Sequence, residues 1–158
     1  MKLFVAASIA LIAGAAPAAT PQLDMVGFFT GRTHSENVLK IIFHRSSGMV
    51  VDSVGKMEGK QFVLVDTVRQ QGQAPRTRKW VIHPVGPGHF SGTLSDATGP
   101  VDITMSGGSA TIRYTMEGGL NLEQRLQVID GHTLANHTAV RKFGMKFGSV
   151  EGKIHKLD

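Results

Sequence analysis

Apolar and polar residues alternate along most of this chain in short segments, and no stretch keeps apolar residues at helical spacing for three turns. Phe62, Leu64, Asp66 and Val68 share one face of an extended segment, Ile112, Tyr114 and Met116 another, and Leu120, Leu122, Gln124, Leu126 and Val128 a third. The period of two predicts strands over Val38 to Arg45, Met49 to Met57, Gln61 to Arg69, Arg78 to His83, Phe90 to Ser95, Val101 to Met105, Thr111 to Met116, Leu120 to Ile129 and Thr133 to Lys142, with a closing run after them. Turn residues separate them in "SSG", "MEGK", "QQGQAP", "PVGPG", "SGGS", "EGG" and "DGH". Short connections imply sequential antiparallel hairpins. Such a meander has one apolar face per strand to bury, and curling into a barrel buries it while removing the edges. The expected fold is therefore all-β, an antiparallel up-and-down barrel of about 8–10 strands, with a two-layer sandwich as the alternative. "LDMVGFFTG" (Leu23 to Gly31), short and aromatic, reads as a lid or plug across one end.

The closing run "RKFGMKFGSVEGKIHK" (Arg141 to Lys156) is basic and glycine-spaced. As a continuous strand it would send Phe143, Met145 and Phe147 inward and Lys142 and Lys146 to water. Val150 and Ile154 then hold the opposite phase, and a slip of one beside Gly148 is what a β-bulge produces. A nucleic-acid strip would need its aromatics exposed beside the lysines, which that alternation disfavours, so no nucleic-acid partner is expected.

The chain has 158 residues, enough for one domain. "MKLFVAASIALIAGAAPAAT" carries one lysine, an apolar run too short to span a membrane, and small residues before a cut near Ala18 or Ala19. This predicts a signal peptide over 1–19, a domain over 20–158 and a periplasmic protein. With no cysteine there are no disulfides, thiolate metal sites, cysteine nucleophiles or lipidated cysteine to consider. The seven histidines show no ligand spacing: His132 and His137 fall on opposite faces, and His34, His44, His83, His89 and His155 sit at expected strand ends or turns. The serines lie in turns rather than at a strand-to-helix elbow, and "GPGHFSG" lacks the lysine and helix of a phosphate loop. No metal and no cofactor are expected. A formal net charge of +5 permits contact with an anionic membrane surface.

What remains is polar groups on apolar faces. Asp66 lies between Leu64 and Val68, Gln124 between Leu122 and Leu126, and Asn136 between Leu134 and Thr138. Each needs a partner or water, since an unpaired buried polar group costs about 1–3 kcal/mol. They could orient a ligand with Arg113 and Tyr114, or form an internal network that fixes the barrel, such as Asp66 with Arg78.

Six segments in order, "FFTG", "GKQFVLVD", "RTRKW", "HFSGTLSDATG", "IRYTM" and "NHTAVRKFGMKFGSV", resemble the bacterial domain of unknown function 3833 across nearly the whole mature chain. The resemblance implies a lipocalin-like envelope protein of Gram-negative origin, a structural role for Trp80 and the "KFG" strand, and lipid ligands. It carries no catalytic residues. Many members have a lipoprotein signal, whereas this chain has no cysteine to acylate, which favours a soluble periplasmic form. The leading reading is a barrel that binds a fatty acid or other hydrophobic molecule in its interior. Met105, Met116 and Met145, on expected inward faces, suit an adaptable cavity. A lipid-modifying isomerase or hydratase using Asp66 as base with Tyr114 or Asn136 as donor ranks behind it, and a structural partner in an envelope complex is the third. The candidate ligand-binding residues are Asp66, Arg78, Trp80, Arg113, Tyr114, Asn136, Phe143 and Phe147.

Overall fold

The computed structural model describes residues 14–19 and 21–158, so residues 1–13 of the expected leader, and Thr20, lie outside the described residues. A short helix, α1 (Met25–Phe29), precedes ten strands: β1 (Gly31–Ile41), β2 (Ser47–Glu58), β3 (Gln61–Gln70), β4 (Arg76–Gly86), β5 (His89–Leu94), β6 (Val101–Ser106), β7 (Ser109–Met116), β8 (Leu120–Asp130), β9 (Thr133–Lys142) and β10 (Met145–Lys156). Each strand pairs antiparallel with its sequence neighbours, and β1 also pairs with β10, which closes the barrel. The alternating pattern accounts for this directly. Most strands have one largely apolar face, and closure puts those faces on one interior without leaving an edge.

Two segments depart from the sequence reading. The first strand begins at Gly31 rather than Val38 and ends at Ile41 rather than Arg45. Its missed half, "GRTHSEN", turns Thr33, Ser35 and Asn37 inward, and all three are buried, so a search for alternating apolar residues passes over it. His34 consequently lies within a strand, on the outer wall opposite Asp52, and not at a strand end. The second departure is the closing run. Lys142 ends β9 and Met145 begins β10, while Phe143 and Gly144, at φ of 51° and 76°, form the two-residue turn between them. Positive φ at both central positions is the hairpin geometry that matches strand twist. "KFG" is therefore a hairpin tip and not part of a continuous strand. Phe143 is 85% exposed and Met145 70% exposed, against the expectation that both point inward. The slip beside Gly148 is real: the β9–β10 register shifts between Lys146 and Gly148, leaving Phe147 as the extra, half-buried residue.

The aromatic segment before β1 does plug one end. Asp24 caps α1 by accepting from the Gly27 amide at 2.9 Å, and the Leu23 amide donates to the Gly107 carbonyl at 3.0 Å. At the other end of the helix the Lys156 Nζ donates to the carbonyls of Gly27, Phe28 and Thr30 at 3.2, 3.0 and 2.6 Å, a charge-assisted cap on groups the helix cannot satisfy itself. Met25, Phe28 and Phe29 are buried in the core with Phe62, Ile82 and Ile154. Gly55 makes room for this plug, because a Cβ there would overlap the Phe29 carbonyl oxygen and the Phe62 ring. The opposite end is a rim of hairpins, β1–β2, β3–β4, β5–β6, β7–β8 and β9–β10, whose β7–β8 connection holds a single 3-10 turn, Glu117–Gly119.

Candidate ligand-binding site

Between plug and rim the barrel holds a cavity of about 300 Å³, at the lower end of the 300–1,000 Å³ range usual for ligand sites. Its floor is Met25 and Phe29 of α1, its walls are largely aliphatic, and it extends to Ile41, Met49, Gln70 and Leu120 at the strand ends of the rim. A belt of polar side chains crosses the wall at mid-height, and the strand register explains why they meet. Ser53 is opposite Asp66, and Asp66 is opposite Arg78, so three neighbouring strands present them at one level.

Asp66 is the hub of a charged arc. Ser53 Oγ donates to its Oδ1 at 2.8 Å, while Arg78 Nη2 and Trp80 Nε1 donate to its Oδ2 at 3.1 and 2.8 Å. The Asp66 and Arg78 side chains are only 5% and 15% exposed. A buried ion pair needs its remaining lone pairs and protons satisfied to offset desolvation, and for the carboxylate this is achieved. Arg78 is different. Its guanidinium lies 5.5 Å from the Trp80 ring centre, yet no protein acceptor among the described residues reaches its buried Nε. Burial works against the Arg78 charge, but Tyr114, Asp66 and Asp96 outweigh it and hold the pKa above its ordinary value. Tyr114 packs edge-on to Trp80 at 5.4 Å, and burial pushes its phenol pKa up against the opposing pull of Arg78. The tyrosine is therefore a neutral donor and Arg78 a fixed cation.

A neutral arc lies on β8, β9 and β1. Gln124 Nε2 donates to Asn136 Oδ1 at 2.9 Å, Asn136 Nδ2 to Asn37 Oδ1 at 3.0 Å, and Asn37 Nδ2 to Ser35 Oγ at 2.9 Å. β10 runs between β9 and β1, and the bridge from Asn136 to Asn37 passes over Gly152, which pairs with both. A Cβ at Gly152 would meet the Glu36 carbonyl and Asn37 Oδ1 inside van der Waals contact, so the amide relay depends on glycine there.

Of the candidate residues, Asp66, Arg78, Trp80 and Tyr114 come together in the charged arc, and Asn136 stands in the neutral one. Arg113 does not join them. It alternates with Ile112 and Tyr114, faces solvent and pairs with Glu123 at 3.0 Å. Phe143 is on the rim, and Phe147 does not line the cavity. Met116 lines the cavity and Met105 packs on the core. The sequence reading missed Ser35, Asn37 and Ser53, because short polar residues in a strand resemble an outer face. It also missed Asp96, whose Oδ1 is buried without a partner among the described residues. Both oxygens of Asp66 are engaged, so Asp66 is not free to act as a base; the arrangement offers a largely aliphatic tube crossed by a polar belt, with Arg78 as a held cation and Tyr114 as a donor hydroxyl.

A family described as a protein of unknown function (DUF3833) matches residues 4–156. No curated protein matches the chain. Among solved structures, the S-type phycobiliprotein lyase CPES from Guillardia theta is similar with a TM-score of 0.67 at 9% identity, over 84% of this chain and 90% of that one. Rv2717c from M. tuberculosis is similar with a TM-score of 0.64 at 12% identity, over 89% of this chain and 99% of that one. At such identities the likeness is one of fold, a lipocalin-like barrel.

Proposed function

The chain belongs to the DUF3833 family, and from the interior of this member we propose that it binds a single-chain amphiphile, a fatty acid or related lipid, with the tail in the aliphatic part of the barrel and the polar head at the belt. The observation that carries this reading is Arg78, a fixed positive charge in the lining of a largely aliphatic cavity, whose buried Nε has no protein acceptor among the described residues. A carboxylate or phosphate oxygen would complete its hydrogen bonding, with Tyr114 as a second donor. The tightly held Asp66 keeps Arg78 in place rather than acting on the ligand. The leader-like first residues support a periplasmic setting, where an anionic membrane is a source of such ligands, and cell fractionation with amino-terminal sequencing tests that part.

Trp80 is the chain's one tryptophan and touches the belt, so its fluorescence reports the site without a label. Titration with palmitate should give a saturable change, and native mass spectrometry of the purified protein should show a co-purified species of lipid mass. Absence of both would remove the reading. Binding of hexadecanol as tightly as palmitate would remove the role given to Arg78.

A further inference from the structure

The structure has two positive-φ residues other than glycine among the described residues, and both are phenylalanines at the rim: Phe43 at φ 62° in the β1–β2 hairpin and Phe143 at φ 51° in the β9–β10 hairpin. A left-handed backbone suits glycine or asparagine and costs an L residue with a bulky side chain. Burial does not offset that cost, since the rings are 100% and 85% exposed and the contact made by Phe143 is with the Lys142 ammonium, 5.6 Å from its ring centre. Ile42 and Met145, beside them, are exposed as well. The two hairpins are neighbours, since β1 pairs with β10 and the Ile42 amide donates to the Phe147 carbonyl at 3.1 Å. Between residues 40–48 and 141–149 they carry Lys40, Arg45, Arg141, Lys142 and Lys146 and no Asp or Glu. The exposed apolar residues of the plugged end differ: Met57, Val85 and Ile129 lie on strands, Leu157 follows β10, none is aromatic, and each is about half covered.

We propose that this corner of the rim is a membrane-docking face, in which Phe43 and Phe143 insert among the acyl chains of an anionic phospholipid bilayer while Arg45, Arg141, Lys142 and Lys146 meet its headgroups; Lys40 is paired with Glu151 at 3.9 Å. Strained, exposed aromatic tips among mostly basic side chains match an interface that is apolar within and anionic at its surface. The proposal rests on the ligand reading for its purpose, because docking here sets the open mouth of the barrel against the lipid from which a single-chain ligand would enter.

The test is co-sedimentation of the purified protein with vesicles of phosphatidylglycerol and phosphatidylethanolamine, compared with phosphatidylcholine alone. The variants are Phe43→Asn, Phe143→Asn and the pair; asparagine accepts the left-handed backbone, so folding is preserved. The wild type should bind the anionic vesicles, release as salt rises, and lose roughly tenfold in partitioning for each phenylalanine removed. Equal binding by the double variant, or no binding by the wild type, overturns the proposal. So does a wild-type dimer, seen by analytical ultracentrifugation, that dissociates in the double variant without any vesicle binding, since the tips would then serve a second copy of the chain. The Trp80 titration with palmitate separates the two readings: a double variant that still binds palmitate but not vesicles supports docking, and vesicle binding that follows the tips in a protein indifferent to palmitate supports docking while removing the ligand reading.

Discussion

Phe28 and Phe29 at one end of the barrel and Phe43 and Phe143 at the other are the same side chain in opposite circumstances. The first pair sits on α1, a helix capped by Asp24 and Lys156, and is buried against Phe62 and the strands. The second pair sits on two-stranded turns in a backbone conformation that disfavours it, with its rings in solvent. At the plugged end the phenylalanine stabilises the fold; at the rim it costs stability. Residue type does not assign the role, and the backbone beneath it does. The barrel is plugged by α1 at one end and carries exposed aromatic tips at the other.

The largest effect expected from this contrast is at the plug. Phe29→Ala should destabilise by about 3–5 kcal/mol through lost burial and a cavity, read as a lower denaturation midpoint; a loss under about 1 kcal/mol would mean that the plug is not part of the cooperative fold. Removing the helix clamp should cost less. Lys156→Met deletes a charged donor from three carbonyls and is expected to lose about 1.5–3 kcal/mol, with hydrogen exchange at α1 rising more than in the strands. At the rim the sign reverses. Phe143→Asn should raise stability by about 1 kcal/mol, by relieving the left-handed backbone, and a loss of that size would instead show that the tip packs on the protein.

The smallest effect lies in the belt between the two ends. Tyr114 is the chain's one tyrosine, so alkaline absorbance titration reports it alone. Burial raises its pKa, and the folded protein should therefore show no phenolate near pH 10, the ordinary value of a tyrosine. The sign for stability follows. The unfolded chain loses this proton first, so the contribution of Tyr114 is complete below about pH 10 and declines as pH rises from there toward the folded pKa. Ionisation at the ordinary pH would mean that the belt is wet enough to solvate a phenolate and that the cavity is not the low-dielectric tube described above.

The legible parts of this molecule are those where apolar spacing and turn chemistry agree. β9 ends where the alternation places it, and the bulge beside Gly148 follows from the change of phase between Phe147 and Val150. Asp66 stood out because a carboxylate among Phe62, Leu64 and Val68 demands a partner, and the register supplies Arg78 opposite it. Where polar residues face inward the same logic fails. Thr33, Ser35 and Asn37 line the interior of β1, and Asn37, which in turn holds Ser35, is bonded by Asn136 of β9, a partner that no local window contains. The tip at Phe143 fails for the opposite reason: an apolar residue between lysines mimics a core position, and only Gly144 signals the turn.

The sequence by itself determined the strand periodicity, the order of the hairpins and the exclusion of thiol chemistry, because these depend on residues adjacent in the chain. Closure decided the rest. Pairing β1 with β10 brings Asn37 to Asn136 across Gly152, wraps the polar residues of distant strands into one belt, and sets the β1–β2 and β9–β10 tips side by side. Those contacts join residues far apart in sequence, and their free energy exists only once the sheet has met itself. The cavity, the unsatisfied guanidinium and the aromatic rim are therefore properties of the closed barrel, which no strand possesses alone.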